Sequence, residues 1–378
     1  LPKEGENPYA CASDILKMWQ DKGILKIEDK PAIYIYEEEF SVGNTRKSIK
    51  GIIARVQLEE FSKGIILPHE FTLSKAKEDR LNLMKATNCN FSQIYALYMD
   101  EKHTTLATID EQSKAKADLE FTDETGVTHR LWIETDEEII AKLVADFADR
   151  KLYIADGHHR YETALNYRNY CRENGISKPG DPQDFQMIYL VDMEHPGLVV
   201  FPTHRLVRDL PNFDKEAVLE KCSEFFYIDE KEGTDTMEED LKKLYDEGKK
   251  AFGFYCGKGE WFLLTLKNID FMSQMLPNVS KASQSLDVSV LHTLILEKIF
   301  GIDKENMAKQ INLTYTKFFT EAIDGVDKGE FQCSFVLNPT RVTEIRDVAA
   351  AGEKMPQKST YFYPKMITGM VMNNLGVD

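Results

Sequence analysis

Residues 151–162, KLYIADGHHRYE, constrain the local fold more tightly than any other stretch of this 378-residue chain. The β-type run 152–154 leads into Asp156-Gly157, and the helix-compatible run 162–173 follows at once. The pattern therefore predicts a strand, a tight turn and a helix. In such a unit the first N–H groups of the helix carry a partial positive charge, so they can bind an anion.

The side chains of the predicted turn suit phosphate. Gly157 would let the backbone approach a ligand closely, and Arg160 can donate two parallel hydrogen bonds to phosphate or carboxylate. His158 and His159 titrate nearer to neutral pH than any other type of side chain. Asp156 could hold a metal ion, orient a histidine or simply cap the helix. Phosphate binding is the first hypothesis, and an ordinary Asp-Gly turn with one histidine facing the core is the alternative.

A second candidate is the dipeptide His69-Glu70. It follows Leu67-Pro68, which predicts a loop after the extended run that ends near Phe61. A glutamate beside a histidine in a loop can serve as a general base. An exposed capping role for Glu70 is the alternative.

The segment FPTHR, residues 201–205, places a hydroxyl, an imidazole and a guanidinium in consecutive positions of a predicted strand. Alternation along a strand sends Thr203 and Arg205 to one face and His204 to the other. Only one of these sets can face a cleft. Binding of phosphate or substrate by Thr203 and Arg205 is therefore one possibility, and structural pairing of Arg205 with an acidic residue is the other.

Near the C-terminus, Lys358, Ser359 and Thr360 of MPQKST are candidate phosphate-binding residues. They do not form a Walker A loop, because Gly352 stands six positions before the lysine and a Met-Pro dipeptide interrupts the loop. A lysine with two hydroxyl neighbours can still bind an oxyanion as a point charge. The alternative is a loop that the following aromatic residues attach to the core.

Five motifs connect the chain with a known family. They are HEFT (69–72), ADGHHRYETA (155–164), FPTHRLV (201–207), LDVSVLHTLILEKIFGI (286–302) and AGEKMPQKSTYFYPKMITG (351–369). In this order, and over nearly the whole chain, these motifs resemble the bacterial and archaeal family called domain of unknown function 1015.

Within that family, the Asp-Gly-His-x-Arg turn is similar to the phosphate-binding turn of the ParB-like fold, which ParB nucleotidases, sulfiredoxin and nucleotide-dependent free serine kinases share. The resemblance implies a ParB-like N-terminal portion packed on a second α+β subdomain. It also implies a nucleotide cofactor, such as ATP, ADP or CTP with Mg²⁺, and a small phosphorylated or hydroxylated metabolite. Genes of the family tend to lie near those for phosphoserine synthesis, which implies a serine-like hydroxyl.

Composition narrows the class of partner. Lysine and arginine total 47 against 63 acidic residues, which gives a net charge of −16. Nucleic acid is therefore not an expected partner, because its binding depends on neutralising phosphates. No apolar run approaches the roughly 20 residues that span a bilayer. The six cysteines are widely spaced, as reduced core thiols would be. We expect a cytoplasmic protein without a membrane partner, of open oligomeric state.

The chain is long enough for two domains. Residues 1–210 carry HEFT, DGHHR and FPTHR, and we expect them to form one α+β domain. Residues 211–378 carry the MPQKST loop and form a second α+β domain in this prediction. The first residue is not methionine and the pattern opens in a predicted helix, 13–21, which the family reaches later, so a preceding segment is also expected.

Local patterns predict the main elements. Hairpins are predicted at 32–60 and 252–266, and the acidic stretch 214–250 favours helices. A core helix is predicted over 287–300, where His292 is expected to pack without a chemical role.

Together with what the resemblance implies, these candidates predict a nucleotide- or phosphate-dependent enzyme on a small metabolite, which transfers a phosphoryl group to or from a serine-like hydroxyl. Arg160 and the backbone after Gly157 would hold phosphate, and Asp156 would hold a metal ion or orient a histidine. Glu70 or His158 would move the proton. Positioning and charge stabilisation dominate such chemistry, so this set of residues is sufficient for it.

Two other functions fit the same residues. The first is a metal-dependent phosphohydrolase, in which zinc or manganese would be bound by residues from the set Asp156, His158, His159 and His69. The second is a sensor without catalytic activity that binds a phosphorylated metabolite at the same anion site.

Overall fold

The computed structural model describes residues 5–72 and 74–376, apart from the side chains of residues 74–76. The chain divides into two compact units, Leu1–Val199 with Pro364–Asp378 and Val200–Tyr363. The sequence predicted a boundary at residue 210, whereas in the structure FPTHR lies in the second unit and the end of the chain belongs to the first. Strand pairing explains the difference, because residues 204–207 pair with strands that come much later in the chain.

The first unit contains one large mixed sheet and the helices that cover it. Its strands are β1 Ile33–Val42, β2 Thr45–Gln57, β3 Ile66–Leu67, β4 Cys89–Asn90, β5 Ile94–Tyr98, β6 Leu119–Thr122, β7 Thr128–Glu134, β8 Leu152–Asp156 and β9 Phe185–Asp192. Its helices are α1 Pro8–Asp21, α2 Ser74–Thr87, α3 Thr104–Gln112, α4 Glu137–Asp146 and α5 His158–Glu173.

The strand order of the large sheet is β3-β8-β5-β9-β2-β1-β7-β6. The pairs β3–β8 and β5–β9 are parallel, and the remaining neighbours are antiparallel. The predicted hairpin at 32–60 is present as β1 and β2, with Val42 opposite Thr45 across a two-residue loop of a length that suits strand twist. The mixed sheet with covering helices confirms the predicted α+β class.

One face of the sheet packs against α5. The helix buries Tyr161, Ala164 and Leu165, which recur at a spacing of three and four residues and so form one apolar stripe. Sheet residues such as Ile154 and Ile188 lie in the same core cluster. Each large side chain buried there contributes roughly 1.5–3 kcal/mol. This packing fixes the direction in which α5 leaves β8.

The opposite face carries a row of aromatic rings. The rings of Tyr95 and Tyr189 have centroids 5.4 Å apart, and those of Tyr189 and Tyr36 are also 5.4 Å apart. Tyr189 reaches over Gly51 of β2, and its hydroxyl donates to the carbonyl of Tyr36 at 3.2 Å. A Cβ at Gly51 would lie 2.3 Å from the carbonyl oxygen of Leu190, so only glycine allows this close approach.

A buried polar chain continues this row. The hydroxyl of Tyr36 donates to Glu38 Oε1 at 3.1 Å and lies 2.7 Å from His129 Nδ1. On its other side, His129 Nε2 lies 3.2 Å from Asp123 Oδ2. Burial raises the pKa of Glu38 from 4.5 to about 7, and the Tyr36 hydrogen bond opposes this shift only in part. Glu38 therefore binds its proton more tightly in the folded chain than in the unfolded chain.

The second unit contains an antiparallel sheet with the order β12-β14-β13-β16-β11-β15. Its strands are β10 Val199–Phe201, β11 His204–Val207, β12 Phe226–Glu232, β13 Ala251–Tyr255, β14 Glu260–Leu266, β15 Leu313–Thr316, β16 Cys333–Val336 and β17 Tyr361–Tyr363. Its helices are α6 Lys215–Cys222, α7 Met237–Asp246, α8 Asp270–Met275, α9 Lys281–Gln284, α10 Asp287–Val290, α11 Lys304–Lys309, α12 Phe319–Asp327 and α13 Val342–Ala350. Strand β18, Asn373–Asn374, returns to the first unit and pairs with β4.

Two sequence predictions in the second unit require correction. The stretch 214–250 was predicted as helical, but β12 separates its two helices and pairs with β14 along its whole length. The predicted helix over 287–300 is α-helical only in α10 and continues as π-helix over Leu291–Glu297. The hairpin at 252–266 is present as β13 and β14, and His292 is buried as expected.

Two further predictions concern membrane-spanning helices and the state of the cysteines. None of the helices formed by residues 5–72 and 74–376 combines the length and apolar composition that a bilayer crossing needs. All six cysteines are unpaired thiols, and Cys89, Cys171, Cys222 and Cys333 are buried.

Glu38→Gln should change how stability depends on pH. In the wild-type protein, the contribution of Glu38 is complete at and below pH 4.5 and is lost as the pH rises to about 7. The free energy of unfolding should fall by roughly 3 kcal/mol across this window. Glutamine keeps an oxygen acceptor for Tyr36 but cannot ionise, so urea unfolding of the variant at a series of pH values should show a much shallower fall.

Glu120→Gln is the matched control, because Glu120 is an exposed carboxylate of β6 that pairs with Arg130. This variant should keep the wild-type pH dependence. An unchanged slope in Glu38→Gln would show that the buried carboxyl does not hold its proton at neutral pH.

Candidate functional site

The predicted strand, turn and helix are β8, Gly157 and α5. β8 pairs in parallel with β3 through Ile66 and Leu152, so the loop after β3 lies at the same edge of the sheet as the start of α5. Gly157 is the N-cap residue with φ 100° and ψ 25°, a left-handed conformation that costs other residues about 1–2 kcal/mol. The structure therefore brings together the two sequence motifs DGHHR and HEFT.

Arg160 binds the turn that precedes it. Its Nη2 donates to Asp156 Oδ2 at 2.7 Å, and its Nη1 donates to Ser92 Oγ at 2.9 Å and to the Gln93 carbonyl at 2.5 Å. A Cβ at Gly157 would lie 2.9 Å from Nη2, so the guanidinium rests directly on the glycine. The guanidinium that the sequence predicts to bind phosphate thus also binds its own turn, across the left-handed Gly157 between β8 and α5.

Asp156 holds two cations. Its Oδ1 accepts a hydrogen bond from Lys365 Nζ at 2.7 Å, and its Oδ2 binds Arg160. Burial acts to raise the pKa of Asp156, but the charges of Lys365 and Arg160 outweigh it, so the pKa lies below its ordinary value. The carboxylate is therefore ionised. Sequence reasoning missed Lys365, because it lies 209 residues from Asp156 and no local pattern connects them.

His158 contacts both residues of the His69-Glu70 pair. Its side chain is only 2% exposed, and its Nε2 accepts the backbone N–H of His69 at 3.1 Å. Because Nε2 is an acceptor, the ring proton of the neutral imidazole is assigned to Nδ1. That Nδ1 lies 3.5 Å from Glu70 Oε2, and the Glu70 side chain is 35% exposed. A buried imidazole thus orients an accessible carboxylate.

His69 packs against His158. Its side chain is fully buried, and its ring packs edge to face on His158 with centroids 4.6 Å apart. Burial lowers the pKa of His69 to about 4, while a backbone hydrogen bond to Ile154 and the charge of Asp156 act in the opposite direction. His69 is therefore a neutral ring that packs on His158.

His159 faces α2 instead. Burial, followed by the positive charge of Arg80, lowers its pKa. On the next turn of α5, Glu162 Oε2 accepts hydrogen bonds from Thr72 Oγ1 at 2.7 Å and from Lys77 Nζ at 2.6 Å. Lys77 and Arg80 belong to α2, whose polar pattern gave no reason to select them from the sequence. His158 and His159 therefore lie in different surroundings.

A cavity of about 130 Å³ lies beside the turn. It is lined by Arg80, Leu83, Met84, Cys89, Asn90, Phe91, Ser92, Arg160, Thr163 and Gln186. Asn90 Oδ1 accepts from the N–H of Met187 and from Asn373 Nδ2, and Gln186 Nε2 donates to the Met187 carbonyl. Within the described part of the chain, Asn90 Nδ2 and Gln186 Oε1 make no hydrogen bond. The cavity therefore offers one amide donor and one amide acceptor between apolar walls.

The remaining predicted residues, Thr203, Arg205, Lys358, Ser359 and Thr360, belong to the second unit. Arg205 is fully buried on β11, where its Nη1 donates to the Thr203 carbonyl and its Nη2 donates to the Lys358 carbonyl at 3.2 Å. Ser359 is buried, and its hydroxyl donates to the Pro356 carbonyl at 2.5 Å. The hydroxyl of Ser359 is thus used inside its own loop. Thr360 is half-buried just before β17.

A metal centre made of protein ligands alone is not seen. Among residues 5–72 and 74–376, no group of three or more histidine, cysteine, aspartate or glutamate side chains could hold an ion. Mg²⁺ bound with phosphate takes only one or two carboxylates from a protein. Asp156 is an ionised carboxylate at this turn, and its two oxygens bind Lys365 and Arg160.

Several solved structures are similar to this chain at low sequence identity and low TM-score. A conserved hypothetical protein from Pyrococcus furiosus is 15% identical, with 85% of this chain and 95% of that chain covered and a TM-score of 0.40. A free serine kinase in complex with AMP is 13% identical, with 82% and 86% covered and a TM-score of 0.40. SbnI with a C-terminal truncation, from Staphylococcus aureus, is 11% identical, with 85% of both chains covered and a TM-score of 0.37.

TM-scores of this size do not establish a shared fold, so no residue role is transferred from these proteins. No curated protein sequence matches the chain. A family described as "Protein of unknown function (DUF1015)" matches residues 1–289, which is most of the chain. The protein therefore belongs to the DUF1015 family.

Proposed function

We propose that the protein is a phosphotransferase that uses a nucleotide and acts on a hydroxyl group of a small metabolite. The observation that carries this proposal is the pairing of Glu70 with His158 at the start of α5, beside a cluster of cations.

Charge at the start of α5 favours a phosphate. Arg80, Arg160, Lys77 and Lys365 surround the turn in a chain whose net charge is −16. α5 has 16 residues, and its N-cap, Gly157, has no side chain with which to bond the N–H groups of the first turn. These N–H groups and the nearby guanidinium groups are the donors that phosphate oxygens need. An anion can therefore bind here in an otherwise acidic protein.

The cavity beside the turn supports a nucleoside as the carrier of that phosphate. Its volume of about 130 Å³ is smaller than the roughly 300–1,000 Å³ of pockets that enclose a whole drug-sized ligand. It therefore suits one flat ring system of a larger ligand. Leu83, Met84 and Phe91 supply apolar walls, and Asn90 Nδ2 with Gln186 Oε1 can match the donor and acceptor edge of a base. Arg160 lines the cavity as well as the turn and so connects the two parts.

The reaction assigns a separate role to each group. The substrate hydroxyl oxygen attacks the terminal phosphorus, the bond from phosphorus to the bridging oxygen of the nucleotide breaks, and the hydroxyl proton passes to Glu70. His158 Nδ1–H orients the Glu70 carboxylate, and the His69 N–H fixes the tautomer of His158. Mg²⁺, when bound, would be held by Asp156 and would neutralise charge on the phosphates.

Glu70→Gln should abolish phosphoryl transfer and leave nucleotide binding unchanged. The amide cannot accept the proton, so the rate should fall by about 10²–10⁴-fold, the usual contribution of a general base. Phosphorus NMR would follow ATP, ADP or CTP incubated with serine and other small hydroxyl compounds, and calorimetry would measure nucleotide affinity. Glu60→Gln is the control, since Glu60 is a carboxylate of the same unit that pairs with Arg168.

Equal rates for wild-type protein and Glu70→Gln would contradict the role of Glu70. Tight nucleotide binding by wild-type protein without any product across the panel would instead favour the sensor.

Arg160→Met should weaken nucleotide binding by roughly 10–100-fold, because it removes charged hydrogen bonds worth about 1.5–3 kcal/mol. Arg172→Met is the matched control, because Arg172 lies on the last turn of the same helix and pairs with Asp184. Calorimetry with ADP measures the affinities, and circular dichroism checks the fold. If Arg160→Met disturbs the turn, Arg80→Met removes another guanidinium that lines the cavity. Undiminished affinity in both variants would remove the phosphate site from the start of α5.

A further inference from the structure

The second unit contains a buried guanidinium without a carboxylate. The side chain of Arg205 is fully buried, and no acidic side chain of the described residues contributes to its electrostatic environment. Burial lowers the pKa of Arg205 to about 10, so the group remains charged at neutral pH. Buried charges in proteins are normally paired, because an unpaired one costs several kcal/mol. The sequence-based alternative, pairing of Arg205 with an acidic residue, is thus not what the structure shows.

The neighbours of Arg205 are neutral acceptors and an aromatic ring. Its Nη1 donates to the carbonyl of Thr203, and its Nη2 donates to His292 Nε2 at 3.1 Å and to the carbonyl of Lys358 at 3.2 Å. Its Cζ lies 5.3 Å from the ring centroid of Tyr315, the residue directly opposite on β15. None of these groups supplies a full negative charge. Burial, together with the charge of Arg205, lowers the pKa of His292.

Two buried donors remain unused at this place. Arg205 Nε and the Tyr315 hydroxyl have no hydrogen-bond partner among the described residues. In a guanidinium, Nε–H and the adjacent Nη2–H point the same way and form a fork that matches two oxygens of one oxyanion. Here, Nη2 bonds two neutral acceptors, His292 Nε2 at 3.1 Å and the Lys358 carbonyl at 3.2 Å. One edge of the fork is therefore half occupied by the protein itself.

The segment that supplies this carbonyl is a short loop, residues 355–360. Lys358 is exposed and has a φ of 58°, which is unfavourable for a residue with a side chain. The loop is held by the hydrogen bond from Ser359 to Pro356 and by one from Thr340 Oγ1 to the Ser359 carbonyl at 2.7 Å. Displacing the Lys358 carbonyl would free one N–H of Arg205 Nη2 without removing the acceptor of either of these bonds.

Two more cations lie along the same part of the chain. Lys317, two residues after Tyr315, places its Nζ 3.1 Å from the Tyr361 hydroxyl and 4.4 Å from the centroid of the Tyr361 ring. Neither Lys317 nor Lys358 forms an ion pair with a residue in the described ranges.

We propose that the Nε–Nη2 edge of Arg205 and the Tyr315 hydroxyl form an oxyanion site in the second unit, which a carboxylate or a phosphate group enters by displacing the Lys358 carbonyl. This site does not depend on the proposed phosphotransferase activity. The anion supplies the negative charge that the buried guanidinium lacks, and it satisfies both unused donors. The hydroxyl of Ser359 is used within the loop, where it donates to the Pro356 carbonyl.

Tyr315→Phe tests this site most cleanly, because it removes only the unpartnered hydroxyl. If Tyr315 had a structural role alone, losing a buried unsatisfied group would leave stability equal or improved and anion affinity unchanged. The oxyanion site instead predicts that affinity for the probes falls about tenfold, the value of one hydrogen bond. The probes are inorganic phosphate and acetate, with chloride at equal ionic strength as the reference, and calorimetry measures their affinity. Tyr227→Phe, at an exposed tyrosine of β12, is the control.

Two further measurements locate the binding. All titrations are repeated in Arg160→Met protein, in which binding of phosphate at the start of α5 is weakened. Hydrogen exchange of residues 355–360 should become faster when phosphate or acetate is added to wild-type protein, and this change should be absent in Tyr315→Phe. Arg205→Lys keeps the charge and removes the fork, so it should also lose the response if it folds.

Binding of acetate as well as phosphate would identify a carboxylate-type site, and binding of phosphate alone would identify a phosphate ester. Either result supports the proposal. The absence of any probe-dependent heat and exchange change in the Arg160→Met background would overturn it, and so would equal affinity in Tyr315→Phe.

Discussion

The contact between Arg160 and the turn before it determines the geometry of the candidate site. Gly157 takes a left-handed conformation, and this allows the guanidinium of Arg160 to lie on its Cα and reach Asp156. The same guanidinium attaches the turn to residues 92–93, and Lys365 holds the other oxygen of Asp156. β8 and the apolar face of α5 are both buried, so the turn that joins them is held at both ends. Strand packing therefore fixes where the first N–H groups of α5 point.

Charge distribution gives this turn its chemical character. The chain is strongly acidic, yet arginine and lysine side chains from α2, α5 and the C-terminal segment gather where α5 begins. Asp156 and Glu162 each bind a lysine there, which offsets part of the repulsion between the cations. Glu70 lies at the edge of the cluster and is oriented by a buried imidazole. In the second unit, Arg205 shows the opposite arrangement, because it is a buried cation that no carboxylate of the described residues pairs with. This contrast motivates the proposal of a second anion site.

Local sequence signals predicted some parts of this structure and not others. The β8 strand, the glycine turn and α5 were predictable, because β-branched residues, Asp-Gly and a helical run stand next to one another. Pairing across the chain was not predictable. Lys365 finds Asp156 only through the fold, and FPTHR joins the second unit because β11 pairs with β15 and β16. The direction of the Arg160 side chain depends on its hydrogen bonds to residues 92–93, which no local pattern indicates. After α10, the chain continues as π-helix, although the apolar spacing over 287–300 indicated an α-helix.

The central claim is that the amide groups at the start of α5 bind the phosphate of a nucleotide. Backbone amide chemical shifts of isotope-labelled protein, recorded during titration with ADP, test it most directly. The account predicts that the largest changes occur at His158, His159 and Arg160, with smaller changes around the cavity at Asn90 and Phe91. Changes confined to the second unit, or no saturable change at these amides, would contradict it.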